Sequence, residues 1–518
     1  MVAEDAGGLP LTRLHIDVER DVDTTAATDA TSSGAAAAPA PNPIPSPRRR
    51  DSSGAFARFA SVVNDESLAA LSPRQQAALI RHAAWQLTWP VIADQSLMTL
   101  VQVVNMAMLG RLGASAIAAS GLSFQPFMLV SNTFMGLSVG TTALVARFIG
   151  AGDEKRASAT LQQSMLLGIV LGVAVTLVGI FFAAPIVRVM RPQPDVLALG
   201  VKYVRAMSPG LAFMIILTMA GAALRGAGDT RTPMAVNIIV NLTNVFVSWT
   251  LIFGHFGLPA LGIIGAGTAT SLARATGGLL IVYLLCSNQL ILRLNWRRLL
   301  HIDGSILKRL WNVGMPSGLE RLINSTGQLL YVRQVSGLGT IAYATHALAM
   351  NVESLSFMPG QGFSTAASTL VGLNLGARRP AIAEKSAIIT AQLGATIMGL
   401  AGVLFFLVPS LFLHIYTGDA AIIALGVVAL RIVALEQVPE AVGSVLSGAL
   451  RGAGDTRAVL AVTMAGVWVV RLGLSPLLIQ TAGMGAPGAW IAMLADWTFR
   501  ATVLAIVFKS GRWKKVKL

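Results

Sequence analysis

From Trp85 onward the chain alternates between apolar runs of about 20 residues and short polar connections, and a run of that length can cross a hydrocarbon layer as a helix. Twelve runs centre near residues 97, 130, 172, 212, 243, 275, 322, 356, 396, 436, 468 and 497. The connections are short and Gly-rich except for the basic stretch RLNWRRLLHIDGSILKRL, which predicts a seam between two halves. Basic residues are unevenly distributed among the connections. Those after even-numbered runs carry Arg147, Lys155 and Arg156; Arg225 and Arg231; Arg293, Arg297, Arg298, Lys308 and Arg309; Arg378, Arg379 and Lys385; Arg451 and Arg457; and the tail KSGRWKKVKL. Those after odd-numbered runs carry only Arg111, Arg188 and Arg191. This asymmetry predicts that the even-numbered connections and both termini are cytoplasmic.

The pattern repeats. ALRGAGDTR occurs from Ala223 to Arg231 and again from Ala449 to Arg457, 226 positions on (449 minus 223). At the same offset Pro90 meets Pro316, Asp94 meets Glu320 and Gly113 meets Gly339, and GLSVGTTALVARFIGA lies over GFSTAASTLVGLNLGA. Near the end the register slips by three, where LGIIGAGTA lies over MGAPGAWIA. The chain therefore reads as two six-helix copies. Six is even, so both copies enter the membrane from the same side. The predicted fold is an all-α polytopic membrane protein whose repeats are related by a pseudo-two-fold axis along the membrane normal. Within the repeated turn, Gly226 and Gly228 suit the positive φ that ends a helix, and Asp229 or Thr232 can cap the next one, with Pro233 in its first turn. Arg225 and Arg231 are expected to face the anionic leaflet.

Composition narrows the class. Of 518 residues, 54% are hydrophobic and 12% charged, with a mean hydropathy of +0.67, which excludes an ordinary soluble globule. The net charge of +15 follows from the basic connections and calls for no nucleic-acid partner. Cys286 is the single cysteine, so there is neither a disulfide framework nor a cysteine metal site. Residues 1–75 are rich in Ala, Pro, Ser and Thr and lack apolar periodicity, which predicts a disordered tail without a secretory or transit signal. Its Arg48, Arg49 and Arg50 read as solvated. The expected lobes are 76–292 and 307–509, joined by a cytoplasmic linker at 293–306 and followed by a basic tail at 510–518.

Ionisable or amide side chains inside such spans are costly and mark either a pathway or an interhelical pair. At 100° per residue, Asp94 and Asn105 share a face of the first span, bordered by Gln102. In the fifth span, Asn237, Asn241, Asn244 and Ser248 keep to one arc. Glu320, Asn324 and Gln328 form a stripe in the seventh, and the eighth aligns His346, Met350, Glu353 and Phe357. Glu436, Glu440 and Ser447 align in the tenth. Any one Asn is equally well read as interhelical packing, worth about 0.6 kcal/mol, whereas four on one arc predict a hydrated cavity. His346 by itself reads as structural. Asp496 and Arg500, one turn apart, predict an intrahelical ion pair, and Arg321, Arg333 and Arg471 are candidate partners for buried carboxylates. A carboxylate between a wet cavity and apolar walls can take up a proton and release it when water or a cation arrives. Glu320 and Glu353 in the second half and Asp94 in the first are the expected cation-coupling acids. The other stripe residues form the expected substrate cavity.

Five segments carry a family likeness: PVIADQSLMTLVQVVNMAMLGRLGASAIAASGL, GTTALVARFIGAGD, ALRGAGDTRTPM, ERLINSTGQLLYVRQVSGLGTIAYATHAL and ESLSFMPGQGFSTAASTLVGLNLGA. In this order, and on a duplicated scaffold, they resemble the multidrug and toxic compound extrusion (MATE) family in its prokaryotic form, over residues 85–505. The resemblance implies a two-lobe antiporter in the cytoplasmic (inner) membrane that expels organic, often cationic, compounds in exchange for protons or sodium ions, with no cofactor. It also exposes departures. Asn105 stands where many relatives have Asp, and Ser248 where one branch has a second Asp. Asn324 replaces a Glu found eight residues after the seventh-span proline in some branches, leaving Glu320 at four.

The leading reading is a monomeric small-molecule antiporter whose two lobes rock in the bilayer. A flippase for lipid-linked substrates is the alternative, favoured if Arg321, Arg333 and Arg471 line a basic cavity. A membrane enzyme comes third, because no His/Glu metal spacing or paired Asp motif is present in the apolar runs. Because the tail lacks folding content, deletion of residues 1–70 is expected to leave vesicle transport intact. A well-inserted but transport-dead truncation would contradict that.

Overall fold

Each of the twelve runs forms a helix in the computed structural model, which describes residues 72–190, 193–287, 289–295 and 301–516. The first copy comprises α1 (Pro73–Gly110), α2 (Ala114–Gly150), α3 (Glu154–Phe181), α4 in two segments (Pro194–Met207 and Pro209–Gly226), α5 (Arg231–Phe253) and α6 (Ile263–Cys286). The second comprises α7 (Gly304–Ser336), α8 (Thr340–Gly376), α9 (Pro380–Leu407), α10 (Ala420–Ala453), α11 (Thr456–Thr481) and α12 (Ala486–Lys509). The expected tail lies outside the described residues up to position 71, as do Arg191, Arg297 and Arg298. Among the described residues, ten helices are long and apolar enough to cross a membrane. The other two, α7 and α8, are long enough, but their buried polar and charged residues dilute their hydropathy.

The duplication read from the sequence is a duplication of geometry. Two of the helix pairs have equal length, 37 residues in α2 and α8 and 28 in α3 and α9. Gly113 and Gly339, which precede α2 and α8, share φ 104° and ψ 171°. Even the six-residue helices Ala183–Arg188 and Pro409–His414 recur at an offset of 226 (409 minus 183). The three-residue slip is present too, since α6 and α12 start 223 apart (486 minus 263). It arises because α11 has 26 residues against 23 in α5, and a shorter connection follows it.

The repeated turn closes as expected at one glycine and differently at the other. Gly228 and Gly454 adopt φ of 87° and 89° and end α4 and α10 in left-handed geometry. Asp229 Oδ1 accepts from the Thr232 backbone N–H at 2.9 Å, capping α5. Gly226 remains helical and serves packing instead, because a Cβ there would lie 2.6 Å from the Thr142 carbonyl oxygen. Its counterpart Gly452 meets the Ser368 carbonyl in the same way. Within a bilayer, helices associate through close backbone approach rather than hydrophobic burial, so small residues mark the contacts.

That logic also joins the copies. A Cβ on Gly150 of α2 would overlap the Leu373 carbonyl of α8, and one on Gly376 of α8 would overlap the Arg147 carbonyl of α2. The two contacts are exchanged by the 226-residue offset, so the pseudo-two-fold axis passes between these helix ends. Further along, Gly136 and Gly140 of α2 abut the backbone of α7, and Ala83, Ala84 and Leu87 of α1 pack on Ala366 and Leu370 of α8. These contacts lie in the helix halves nearest the even-numbered connections.

Filling such a contact should be costly, and filling an open glycine should not. Gly376→Ala is expected to lose about 1–3 kcal/mol of stability by overpacking. Gly473→Ala, with no neighbour within 4 Å of the added Cβ, should change little. Thermal unfolding in detergent compares the two directly.

Candidate functional site

The polar arcs predicted on α1 and α5 face each other. Asn237 Nδ2 donates to Asp94 Oδ2 at 2.9 Å, and Asn105 Nδ2 donates to Asn244 Oδ1 at 2.7 Å. Asn244 continues to Thr270 Oγ1 of α6 at 3.4 Å. Ser248, one turn beyond Asn244, is buried. Arg225, at the end of α4, turns into the copy and interacts electrostatically with Asp94, where the sequence reading had it facing the leaflet. The reason is that a helix end packed through Gly226 brings the preceding side chain alongside α1. Arg231 does stay outside, 5.9 Å above the Trp89 ring.

The second copy builds the same ladder with stronger charges. Glu320 occupies the Asp94 position, Arg451 that of Arg225 and Thr463 that of Asn237, each at +226. Arg451 Nε donates to Glu320 Oε2 at 3.2 Å and its Nη2 to Oε1, while Thr463 Oγ1 donates to Oε1 at 3.2 Å. Eight residues further along both helices, Arg471 Nη1 donates to Gln328 Oε1 at 2.9 Å. Arg471 Nε also lies 2.8 Å from Asp496 Oδ2 in a side-on ion pair. Arg500 chelates the same carboxylate at 2.6 and 2.7 Å, which is the intrahelical pair expected from the sequence. Room for this network comes from a π-type turn at Ala465–Arg471, where a Cβ on Gly466 would collide with Asp496 Oδ1. Turns of that kind recur at functional sites.

Next to these pairs lie three acids of a different kind. Glu353 of α8 and Glu436 and Glu440 of α10 bring carboxylate oxygens within 4.8 Å of one another, and the residues are 5%, 0% and 1% exposed. Among the described residues, neither Glu436 oxygen has a hydrogen-bond partner, nor have Glu353 Oε2 and Glu440 Oε2. Arg471 is near enough to attract all three electrostatically, yet its nitrogens contact Asp496 and Gln328. His346 Nδ1 accepts from Trp490 Nε1 at 3.3 Å, and its ring stands edge-on to Tyr331, whose hydroxyl donates to the Ala489 carbonyl. Three carboxylate charges at this spacing repel one another, so the cluster is suited to hold protons or a hard cation that prefers oxygen ligands.

The remaining expected residues are dispersed. Gln102 and Asn324 are exposed, and Asn241 and Met350 are half-buried. Arg321 sits beside Glu320, but the acid's hydrogen bonds go to Arg451 and Thr463, and Arg333 is exposed in a groove with Gln334 and Gln480. Sequence reasoning overlooked Arg225 and Arg451 as acid partners, along with Thr270, Thr463, Tyr331 and Trp490. The signal was available for the first two, since the acids and the arginines had been aligned separately in one register.

Comparison with known proteins places this geometry. The family description MatE matches the chain twice, over residues 90–250 and 316–477, and the two matches start 226 apart (316 minus 90). A probable multidrug resistance protein NorM from Thermotoga maritima is 32% identical over 449 residues, covering 86% of this chain and 95% of that protein. An uncharacterized transporter YisQ from Bacillus subtilis is 25% identical, covering 83% and 94%. Among solved structures, a MOP-superfamily transporter from Pyrococcus furiosus, described as having a binding pocket of reversed polarity, superposes with a TM-score of 0.77 at 24% identity, covering 85% and 97%. A multidrug resistance transporter solved in an outward-facing conformation gives a TM-score of 0.76 at 24% identity, covering 84% and 95%.

The Glu320–Arg451 pair yields a double-mutant test. Glu320→Gln strands a largely buried guanidinium and is expected to cost about 3 kcal/mol of stability. Glu320→Gln with Arg451→Met should recover most of the loss, read as the thermal midpoint of the purified protein.

Proposed function

The chain belongs to the MATE family of membrane transporters, and from that premise we propose that it is a secondary antiporter exporting small organic, predominantly cationic compounds in exchange for protons or sodium ions. Its multidrug resistance relative supports the export of compounds. The coupling ion is assigned to the second copy, at Glu353, Glu436 and Glu440. The observation that carries this assignment is three buried carboxylates within 4.8 Å, while Arg471, which attracts all three, is engaged by Asp496.

Asp94 and Glu320 take part differently in the proposal. Protonation of either would release its arginine, Arg225 or Arg451, and so link proton uptake to packing at the base of each copy. The Asn105–Asn244–Thr270 chain would line the cargo chamber of the first copy, with Asn237, Asn241, Ser248 and Gln102 along its wall. Asn324, Gln328, His346 and Met350 would contribute to the facing wall. The proposed lobes are residues 76–292 and 307–509, acting as a monomer with both termini cytoplasmic and without a nucleic-acid partner. In that orientation the contacts between copies close the cytoplasmic side, which supports an outward-facing arrangement and rocking about the α2–α8 contact. The flippase alternative calls for a basic chamber. Neutralisation of Arg471 by Asp496 favours cation antiport instead.

Inverted vesicles test the assignment, with pH and sodium gradients imposed separately and an organic cation as reporter. Glu353→Gln, Glu436→Gln and Glu440→Gln should each reduce gradient-driven efflux roughly tenfold, the scale of a coupling free energy of 1–3 kcal/mol. Membrane levels of the protein should be unchanged. Full transport in all three variants would remove the cluster from the mechanism.

A further inference from the structure

A groove of about 520 Å³ lies between the start of α1 and the middle of α9, lined by Arg74 and Arg81 on one side and Ile389, Gln392, Leu393 and Thr396 on the other. The two helices are tied together one turn before Ile389 by Lys385, whose Nζ donates to the Pro73 carbonyl at 3.2 Å and to Gln76 Oε1 at 2.9 Å. Arg74 and Arg81 are two turns apart on one helix face, both exposed, and among the described residues neither takes part in an ion pair. With 38 residues, α1 is roughly 57 Å long, well beyond a hydrocarbon core of about 30 Å, so its first turns reach the headgroup layer. Trp85 and Trp89, 47% and 36% exposed, follow Arg81 along the helix as interfacial aromatics do.

The duplication supplies a control within the same molecule. The position related by the repeat lies between α7 and α3, where Gln163 stands in place of Ile389 (389 minus 226). There Gln163 Nε2 donates to the His301 carbonyl at 2.7 Å and Gln163 Oε1 accepts from the Asp303 N–H at 3.3 Å, so the inter-copy linker runs through it. The α1–α9 groove replaces that amide by an apolar wall and adds two arginines. An amphipathic groove between spanning helices, basic at the headgroup level and apolar beside it, matches one class of ligand.

We propose that the α1–α9 groove binds an anionic phospholipid, with its phosphate held between Arg74 and Arg81 and an acyl chain along Ile389 and Leu393. Because α1 belongs to the first copy and α9 to the second, the lipid bridges the two copies on the side where they already touch. It stabilises that arrangement during the transport cycle. This role in the cycle rests on the antiport reading above, whereas the binding itself does not.

Native mass spectrometry of the delipidated full-length protein, given phosphatidylglycerol or phosphatidylcholine, tests the site without reference to transport. The wild type should retain phosphatidylglycerol severalfold over phosphatidylcholine. Arg74→Gln/Arg81→Gln should abolish the preference, and Arg74→Lys/Arg81→Lys should keep much of it. Unchanged preference in the Gln variant overturns the proposal. So does displacement of the lipid by inorganic phosphate alone, which would make the site one for free anions. Preference that appears only after residues 1–70 are deleted would assign the groove to the chain's own tail and overturn it too.

Discussion

A carboxylate inside a bilayer has to be neutralised, and the arrangement of this protein follows from how each one is. The second copy buries five: Glu320, Glu353, Glu436, Glu440 and Asp496. Arg451 answers Glu320, and Arg471 and Arg500 together answer Asp496. Two arginines on one acid is an uneven distribution, and it leaves the other three acids facing one another. A uniformly paired interior would be rigid and inert. Here the surplus of acid is gathered at one place, within the field of Arg471 but outside any ion pair among the described residues.

The first copy meets the same constraint by giving up charge. It keeps the α1 acid and the α4 arginine, Asp94 and Arg225, but its deeper positions are the neutral Asn105, Asn244, Ser248 and Thr270, of which Asn105, Asn244 and Thr270 form a hydrogen-bonded chain and Ser248 is buried beside it. Neutral amides can hydrate and rearrange at far lower cost than carboxylates. The two copies thus share a backbone and differ in electrostatics, the second concentrating buried charge and the first replacing it with neutral amides and hydroxyls.

Much of this was legible from the residues. Helix number, duplication, register and even the three-residue slip follow from apolar run length and one repeated turn, because those features are local. The α1 and α5 arcs were correctly placed on faces, since 100° per residue fixes a face without knowledge of the neighbour. What was not legible is which face meets which. Glu353 lies on α8, and Glu436 and Glu440 on α10, more than 80 residues further along (436 minus 353 is 83). Only the crossing of those helices shows the three to be one group. Arg225 was misread for a related reason: a charge at a helix end normally seeks water, and what turned it inward is a glycine contact with another helix.

The placement of strong and weak interactions also bears on how the molecule can move. Among the described residues every buried ion pair lies within the second copy, and the Asp94–Asn237 bond lies within the first. Between copies the polar contacts are slighter: Thr369 Oγ1 to the Arg225 carbonyl at 3.0 Å, Arg147 Nη1 to the Ala453 carbonyl at 3.4 Å, and Asn132 Nδ2 to Ser325 Oγ at 3.5 Å. Lys385 adds hydrogen bonds to the Pro73 carbonyl and Gln76 Oε1, and the seam is otherwise built largely of small apolar side chains and of backbone against glycine, which can slide without breaking a charge pair. A rigid-body tilt of one bundle against the other would therefore leave each copy's electrostatics intact, and the cost of motion would fall on the seam. The proposed rocking would require that separation, and the proposed lipid bridging α1 and α9 would then have leverage out of proportion to its few contacts.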